Sequence, residues 1–124
     1  MGELFENKVS KTMLMTLQAK ALEGSQKNRL FIDQKAEEMM KQVPSMVSVS
    51  FFDRIGVCLR TKYFDDCCKN FIKTHEHPVI IQLGCGLDDR QGRIGAEDIP
   101  FFSVDFLDVI TLRQEFFEET ATSQ

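Results

Sequence analysis

Residues 78–90, Pro-Val-Ile-Ile-Gln-Leu-Gly-Cys-Gly-Leu-Asp-Asp-Arg, and residues 102–105, Phe-Ser-Val-Asp, decide how the rest of the chain is read. An apolar run rich in β-branched residues stops at Gly84-Cys85-Gly86. A second apolar run ends on Asp105, 21 residues after Gly84. Strand, glycine turn, strand and terminal acid, in that order, are the layout of a nucleoside-binding crevice in an open α/β sheet. Glycines let the backbone approach a ligand, and a carboxylate about 20 residues on receives ribose hydroxyls.

What the turn lacks narrows the ligand. A dinucleotide fingerprint reads G-x-G-x-x-G and aims a helix N-terminus at a pyrophosphate. Here the third glycine position is Asp89, beside Asp88. Two adjacent carboxylates repel a pyrophosphate but suit a ligand with no phosphate and a positive centre. S-adenosylmethionine has those properties: adenosine, a sulfonium, an amino group and one carboxylate.

The chain has 124 residues, 43% apolar and 27% charged, which suits one soluble globular unit with a modest core. A net charge of −4, with no basic stripe, argues against nucleic acid or an anionic membrane surface as the main partner. No run of about 18 apolar residues suggests a membrane span. The start, Met1-Gly-Glu-Leu-Phe-Glu-Asn7, has neither the basic nor the apolar region of a secretory signal, so the expected location is cytoplasmic. The four cysteines fit that compartment. Cys67 and Cys68 are adjacent, Cys58 precedes them and Cys85 lies in the glycine turn, with no C-x-x-C pair. They read as reduced packing residues.

The first half reads as helices. Ser10 can cap one whose apolar face is Leu14, Leu17 and Ala21, with Gly24 as its stop. Asp33 can cap a second, bearing Ala36, Met39, Met40 and Val43 and closed by Pro44. A third spans about Val49 to Lys73 and uses Phe52, Ile55, Leu59, Phe64, Cys67, Phe71 and Ile72 at a rough 3.6 period, with Gly56 a weak point. The period then changes. Val79 to Leu83 reads as a strand buried on both faces, and Leu87 to Ile94 as a turn with a short irregular helix. Phe101 to Val104 is the second strand. Asp105 or Asp108 starts an amphipathic helix using Val109, Leu112, Phe116 and Phe117, and the polar tail after Thr120 frays. The organisation is a helical N-terminal cap over residues 1–76, then the opening of an α/β domain over 77–124.

These residues resemble the leucine carboxyl methyltransferase family, which includes bacterial polyketide-type O-methyltransferases. The resemblance runs from about Ser10 to Phe117. It rests on the Thr12–Ala21 helix, Arg29-Leu-Phe-Ile-Asp33, Leu59-Arg-Thr-Lys-Tyr-Phe-Asp65, Leu83-Gly-Cys-Gly-Leu-Asp-Asp-Arg90 and Val104-Asp-Phe-Leu-Asp-Val-Ile110. Many methyltransferases share the glycine segment, whereas the Arg-Thr-x-Tyr-Phe-Asp segment ahead of it is more selective. The resemblance implies a Rossmann-like class I methyltransferase sheet with S-adenosylmethionine as cofactor. It also implies that Arg60 pairs with the methionyl carboxylate, that Gly84 and Gly86 pass under the cofactor, and that Asp105 accepts the ribose hydroxyls. Asp88 belongs to the same cofactor-binding set and, with Arg90, shapes the turn. A guanidinium suits the Arg60 role because it holds a carboxylate bidentately. Asp89 departs from the family, which more often has a small polar residue there.

The resemblance further implies methyl transfer to an oxygen of a carboxylate or hydroxyl, on a small molecule or a peptide C-terminus. A carboxylate acceptor is already ionised and needs no general base, and no catalytic residue stands out. A strand-helix-strand unit takes about 30 residues, so a seven-stranded sheet needs roughly 200. These 124 residues are therefore expected to hold only the cap and the N-terminal part of the fold. Two strands alone leave edges and an apolar face, which predicts self-association or a completing partner. A non-catalytic, partner-binding module is the alternative. His75 and His77 read as a solvated linker, Cys85 as a small turn residue and the methionines as core filling.

Overall fold

The computed structural model describes residues 11–43 and 48–124. Helix α1 spans Lys11–Gly24, α2 Gln34–Met40 and α3 Phe51–Thr74. Strand β1 (Ile80–Leu83), the single-turn helix α4 (Arg90–Arg93), strand β2 (Phe101–Val104) and helix α5 (Leu107–Arg113) follow. The expected caps at Ser10 and Pro44 lie outside the described residues.

Local chemistry sets most of the helix starts. Asp33 caps α2 through Oδ1, which accepts the Ala36 N–H at 2.9 Å. Ser50 caps α3 by accepting the Asp53 N–H at 3.1 Å, so that helix begins at Phe51, two residues later than the apolar pattern suggests. Gly56 does not interrupt it. Neither acid expected to start α5 caps it. Phe106 is its N-cap and makes no side-chain cap bond, while Asp105 is turned toward the glycine turn.

The core gathers Leu17 of α1, Ala36 and Met39 of α2, Leu87 of the turn and Leu112 of α5. Phe116 and Phe117 close it from below, and Met39 is fully buried. The methionine reading holds there. The apolar face assigned to α3 does not. Cys58, Thr61 and Asp65 form its buried line, whereas Phe52 is 84% exposed and Leu59 and Phe64 also face out. A 3.6 period locates a stripe but not its direction, and here a polar stripe wins because ion pairs await it.

β1 and β2 pair in parallel, with Ile80 opposite Phe101 and Leu83 opposite Val104. The expectation of a strand buried on both faces is corrected. Gln82 is buried, but Ile81 and Leu83 are exposed, Leu83 by 77%, together with Phe102 and Val104. Successive side chains alternate across the pleat, and the described helices cover one face only. The tail does not fray either. Phe101 donates its N–H to Thr122 O at 2.8 Å, and the Gln124 N–H returns to Phe101 O at 3.0 Å. Residues 122–124 thus lie along the outer edge of β2, bridged in parallel. Backbone groups make this contact, so no apolar pattern announces it.

A buried ion cluster joins the helices to the strands. Arg93 of α4 donates to Asp33 at 2.7 Å, to both oxygens of Asp65 at 2.6 and 2.9 Å, and to Asp88 at 2.8 Å. Burial pushes the Asp88 carboxyl up, but Lys20 and Arg93 outweigh it and hold it well below the ordinary carboxylate range. With the folded value depressed, this stabilisation is complete above the unfolded carboxyl value of about 3.9 and is lost as pH falls below it. The urea midpoint should stay nearly level between pH 7 and 5 and drop below about pH 4. Asp88→Asn should start lower at pH 7 and fall less steeply. An acid-induced drop unchanged in the variant would show that Asp88 does not carry it.

Candidate functional site

Both strands end on the same side of the sheet, and the chain turns there twice. β1 runs into Gly84 and β2 into Asp105, as parallel pairing in this register requires. Gly84 and Gly86 take φ of 63° and 52°, the left-handed region that side chains resist. A Cβ built on either would meet nothing within 4 Å, so both backbones border open space. That space is a cavity of about 700 Å³. Its walls are the glycine turn and strand ends on one side, and α1 and α3 on the other.

All five residues singled out in the sequence, Arg60, Gly84, Gly86, Asp88 and Asp105, line this cavity. They differ in what their polar atoms already hold. Asp105 accepts the Gly86 N–H through Oδ2 at 2.8 Å and the Phe106 N–H through Oδ1 at 2.8 Å. One bond per oxygen leaves acceptor capacity on each. Asp88 is nearly saturated: Lys20 and Arg93 donate to Oδ1, and Gln82 donates to Oδ2 at 2.7 Å. The family resemblance implies a cofactor-binding role for Asp88. Its filled carboxylate leaves it the shaping of the turn.

The cations divide in the same way. Lys20 and Arg90 line the cavity, but Lys20 pairs with Asp88 and Arg90 with Asp65 at 3.0 Å. Arg60, exposed on α3, makes no hydrogen bond or ion pair among the described residues. It is the cavity's unengaged guanidinium.

Asp89, the departure from the family pattern, caps α4 by accepting the Gly92 N–H at 3.2 Å. The two acids of the turn therefore do not act as free carboxylates repelling a pyrophosphate, since both are held by the protein. What disfavours a pyrophosphate is that Asp89 already occupies the start of a single-turn helix. Gly92 follows from the same cap, because a Cβ there would lie 2.3 Å from an Asp89 oxygen.

The sequence reading passed over two arginines. Arg93 is the centre of the ion cluster. Arg113 of α5 donates to Gly86 O at 3.2 Å and to Asp88 O at 2.7 Å, gripping the turn by its carbonyls with its guanidinium 4.0 Å above the Phe117 ring. Arg93 carried no local signal, since Asp33 and Asp65 lie 60 and 28 residues away. Arg113 had none, since its targets are backbone atoms. Cys85 is buried in the turn, and burial pushes its thiol up, which suits packing rather than nucleophilic attack.

A family model described as leucine carboxyl methyltransferase matches residues 12–123. The chain belongs to that family. It is 33% identical over 115 residues to the tetracenomycin polyketide synthesis O-methyltransferase TcmP of Streptomyces glaucescens, an alignment covering 90% of this chain and 43% of that protein. It is 28% identical over 134 residues to the S-adenosyl-L-methionine-dependent methyltransferase dpfgK of Gibberella zeae, covering 97% of this chain and 45% of that one. The chain thus spans less than half the length of these two relatives. No solved structure matches it significantly.

Because a Cβ at Gly86 meets no atom, replacing this glycine tests backbone conformation alone. Gly86→Ala should cost roughly 1–2 kcal/mol of stability from the left-handed φ, read as a lowered urea midpoint. A change below about 0.3 kcal/mol would mean the turn relaxes freely out of that conformation.

Proposed function

We propose that this chain forms the cofactor-facing part of an S-adenosylmethionine-dependent O-methyltransferase. The observation that carries this reading is the unengaged guanidinium of Arg60 sharing one cavity with a carboxylate of spare acceptor capacity and two open glycines. The donor set fits the cofactor part by part. Arg60 would hold the methionyl carboxylate bidentately. Gly84 and Gly86 would let the backbone run close beneath the ligand. Asp105 would accept the ribose hydroxyls through its free lone pairs. The names of the two relatives support the same chemistry.

When bound, the cofactor supplies a methyl group on a sulfonium that carries its own leaving group. The residues described here bind and orient rather than move protons. Arg60 and Asp105 fix the two ends, and the protein-held turn keeps the span between them constant. The acceptor in this reading is a carboxylate or hydroxyl oxygen of a small molecule or a peptide C-terminus; an ionised carboxylate needs no general base, and a hydroxyl needs one. The parallel β1–α4–β2 unit is the opening of a Rossmann-like class I sheet in this reading. The site of action is cytoplasmic, and among the described residues no helix is long and apolar enough to cross a membrane.

The exposed face of Ile81, Leu83, Phe102 and Val104 supports a completing partner or self-association. The outer edge of β1 adds to that, since a parallel strand of so short a sheet needs a neighbour.

Calorimetric titration with S-adenosylhomocysteine tests the reading. Micromolar binding is expected, weakened at least tenfold (about 1.4 kcal/mol) by Arg60→Ala and by Asp105→Ala. Undiminished binding in both variants would sink the site assignment. A folded chain that binds nothing would favour the non-catalytic, partner-binding module.

A further inference from the structure

We propose that Arg93 is a positioning residue for this site, setting where Arg60 stands relative to the glycine turn without touching the ligand. The inference rests on the cofactor reading above.

The reason lies in how α3 is attached. Extended backbone-level packing joins α1 to α2, α1 to α3 and β1 to β2, and none of comparable extent joins α3 to either strand. Side chains make that join. Asp65 of α3 receives Arg93 on both oxygens, at 2.6 and 2.9 Å, and Arg90 at 3.0 Å. The same Arg93 guanidinium reaches Asp88 in the turn at 2.8 Å and Asp33 at the start of α2 at 2.7 Å. One planar group therefore links α3, the turn and α2, and its side chain is only 2% exposed.

Arg60 lies five residues before Asp65 on the same helix, about 7.5 Å along its axis at 1.5 Å per residue. A rigid helix carries a shift at Asp65 to Arg60. The glycines and Asp105 do not depend on α3 in this way. Asp105 is tied directly to the Gly86 N–H, and Arg113 holds the turn carbonyls from the opposite side. The cavity thus has two walls with separate supports, and Arg93 fixes the spacing between them.

A lysine at 93 keeps the charge but cannot present a fork to Asp65 while reaching Asp88 and Asp33. Two ligands then distinguish positioning from general stability. S-adenosylhomocysteine engages both walls, through its carboxylate and its ribose, whereas adenosine engages only the turn wall. Arg93→Lys should weaken S-adenosylhomocysteine at least tenfold and leave adenosine within twofold of its wild-type affinity. Both should be measured by calorimetry below the variant's melting range. In an Arg60→Ala background the same substitution should cause little further loss, because the contact it positions is gone. If Arg93→Lys is not folded, Asp65→Asn carries the same expectation, since it loosens the helix side of the link and leaves Asp88 its donors.

Equal losses for both ligands would overturn the proposal and make Arg93 a turn-shaping residue. A lowered melting temperature with unchanged affinities would reduce it to a structural one. The wild-type titration keeps the two readings apart. A wild-type chain that binds neither ligand removes the cofactor reading, and the positioning role with it, before any variant is considered.

Discussion

The structure depends on one buried guanidinium. Arg93 would be costly to desolvate alone, and it is tolerable because Asp33, Asp65 and Asp88 converge on it. With Lys20 and Arg90 at the periphery, the cluster holds three cations and three carboxylates, so the interior carries no net charge. Two members have second duties. Asp33 gives its other oxygen to the Ala36 N–H and so starts α2, and Asp88 takes the buried Gln82 of β1. Helix initiation, strand placement and turn shape thus share one electrostatic condition. Removing one member leaves the buried charges that remain short of a partner, which costs more than the pair contributes.

The glycine turn shows what that condition achieves. Gly86 has its N–H on Asp105 and its carbonyl on Arg113, and the Asp88 carbonyl is also on Arg113. The polar backbone is satisfied from within, leaving a surface that a ligand can approach without competing for protein hydrogen bonds. A turn held only by its glycines would be free to sample many conformations, since glycine restricts the backbone least. Here the flexibility permits the shape and the surrounding charges select it.

Much of this was legible in the sequence, for reasons that can be named. The strand order, the turn and Asp105 followed from a change of hydrophobic period and one spacing, because both are local. All five site residues proved to line one cavity, and Asp33 capped the helix it was expected to cap. The errors share a cause. Apolar spacing points Phe52 and Leu59 inward, but spacing is not burial, and the inward line of α3 is Cys58, Thr61 and Asp65. The roles of Arg93 and Arg113 depend on groups 60 residues or 27 residues away in sequence, and no periodicity encodes such pairs. The tail at 122–124 docks on β2 through backbone groups, with the Thr122 hydroxyl on Glu97 O and the Gln91 amide on Thr122 O, contacts that no periodicity encodes.

Polar and apolar groups are distributed unevenly about the two strands. The covered side of the sheet buries Gln82 and Phe101, and Gln82 reaches the ion cluster through Asp88. The other side is apolar and exposed, from Ile81 and Leu83, which also border the cavity, across to Phe102 and Val104, and on to Phe106 and Leu107 after Asp105. Hydrophobic covering of that second face would stabilise the strands, but the groups that define the cavity do not wait for it. Asp105 and Arg113 already hold the turn among the residues described, and Arg93 ties it to α3 through Asp88 and Asp65. Whatever covers the apolar face therefore meets the cavity at Ile81 and Leu83, while the charged groups on its walls are set by α1, α3 and the turn.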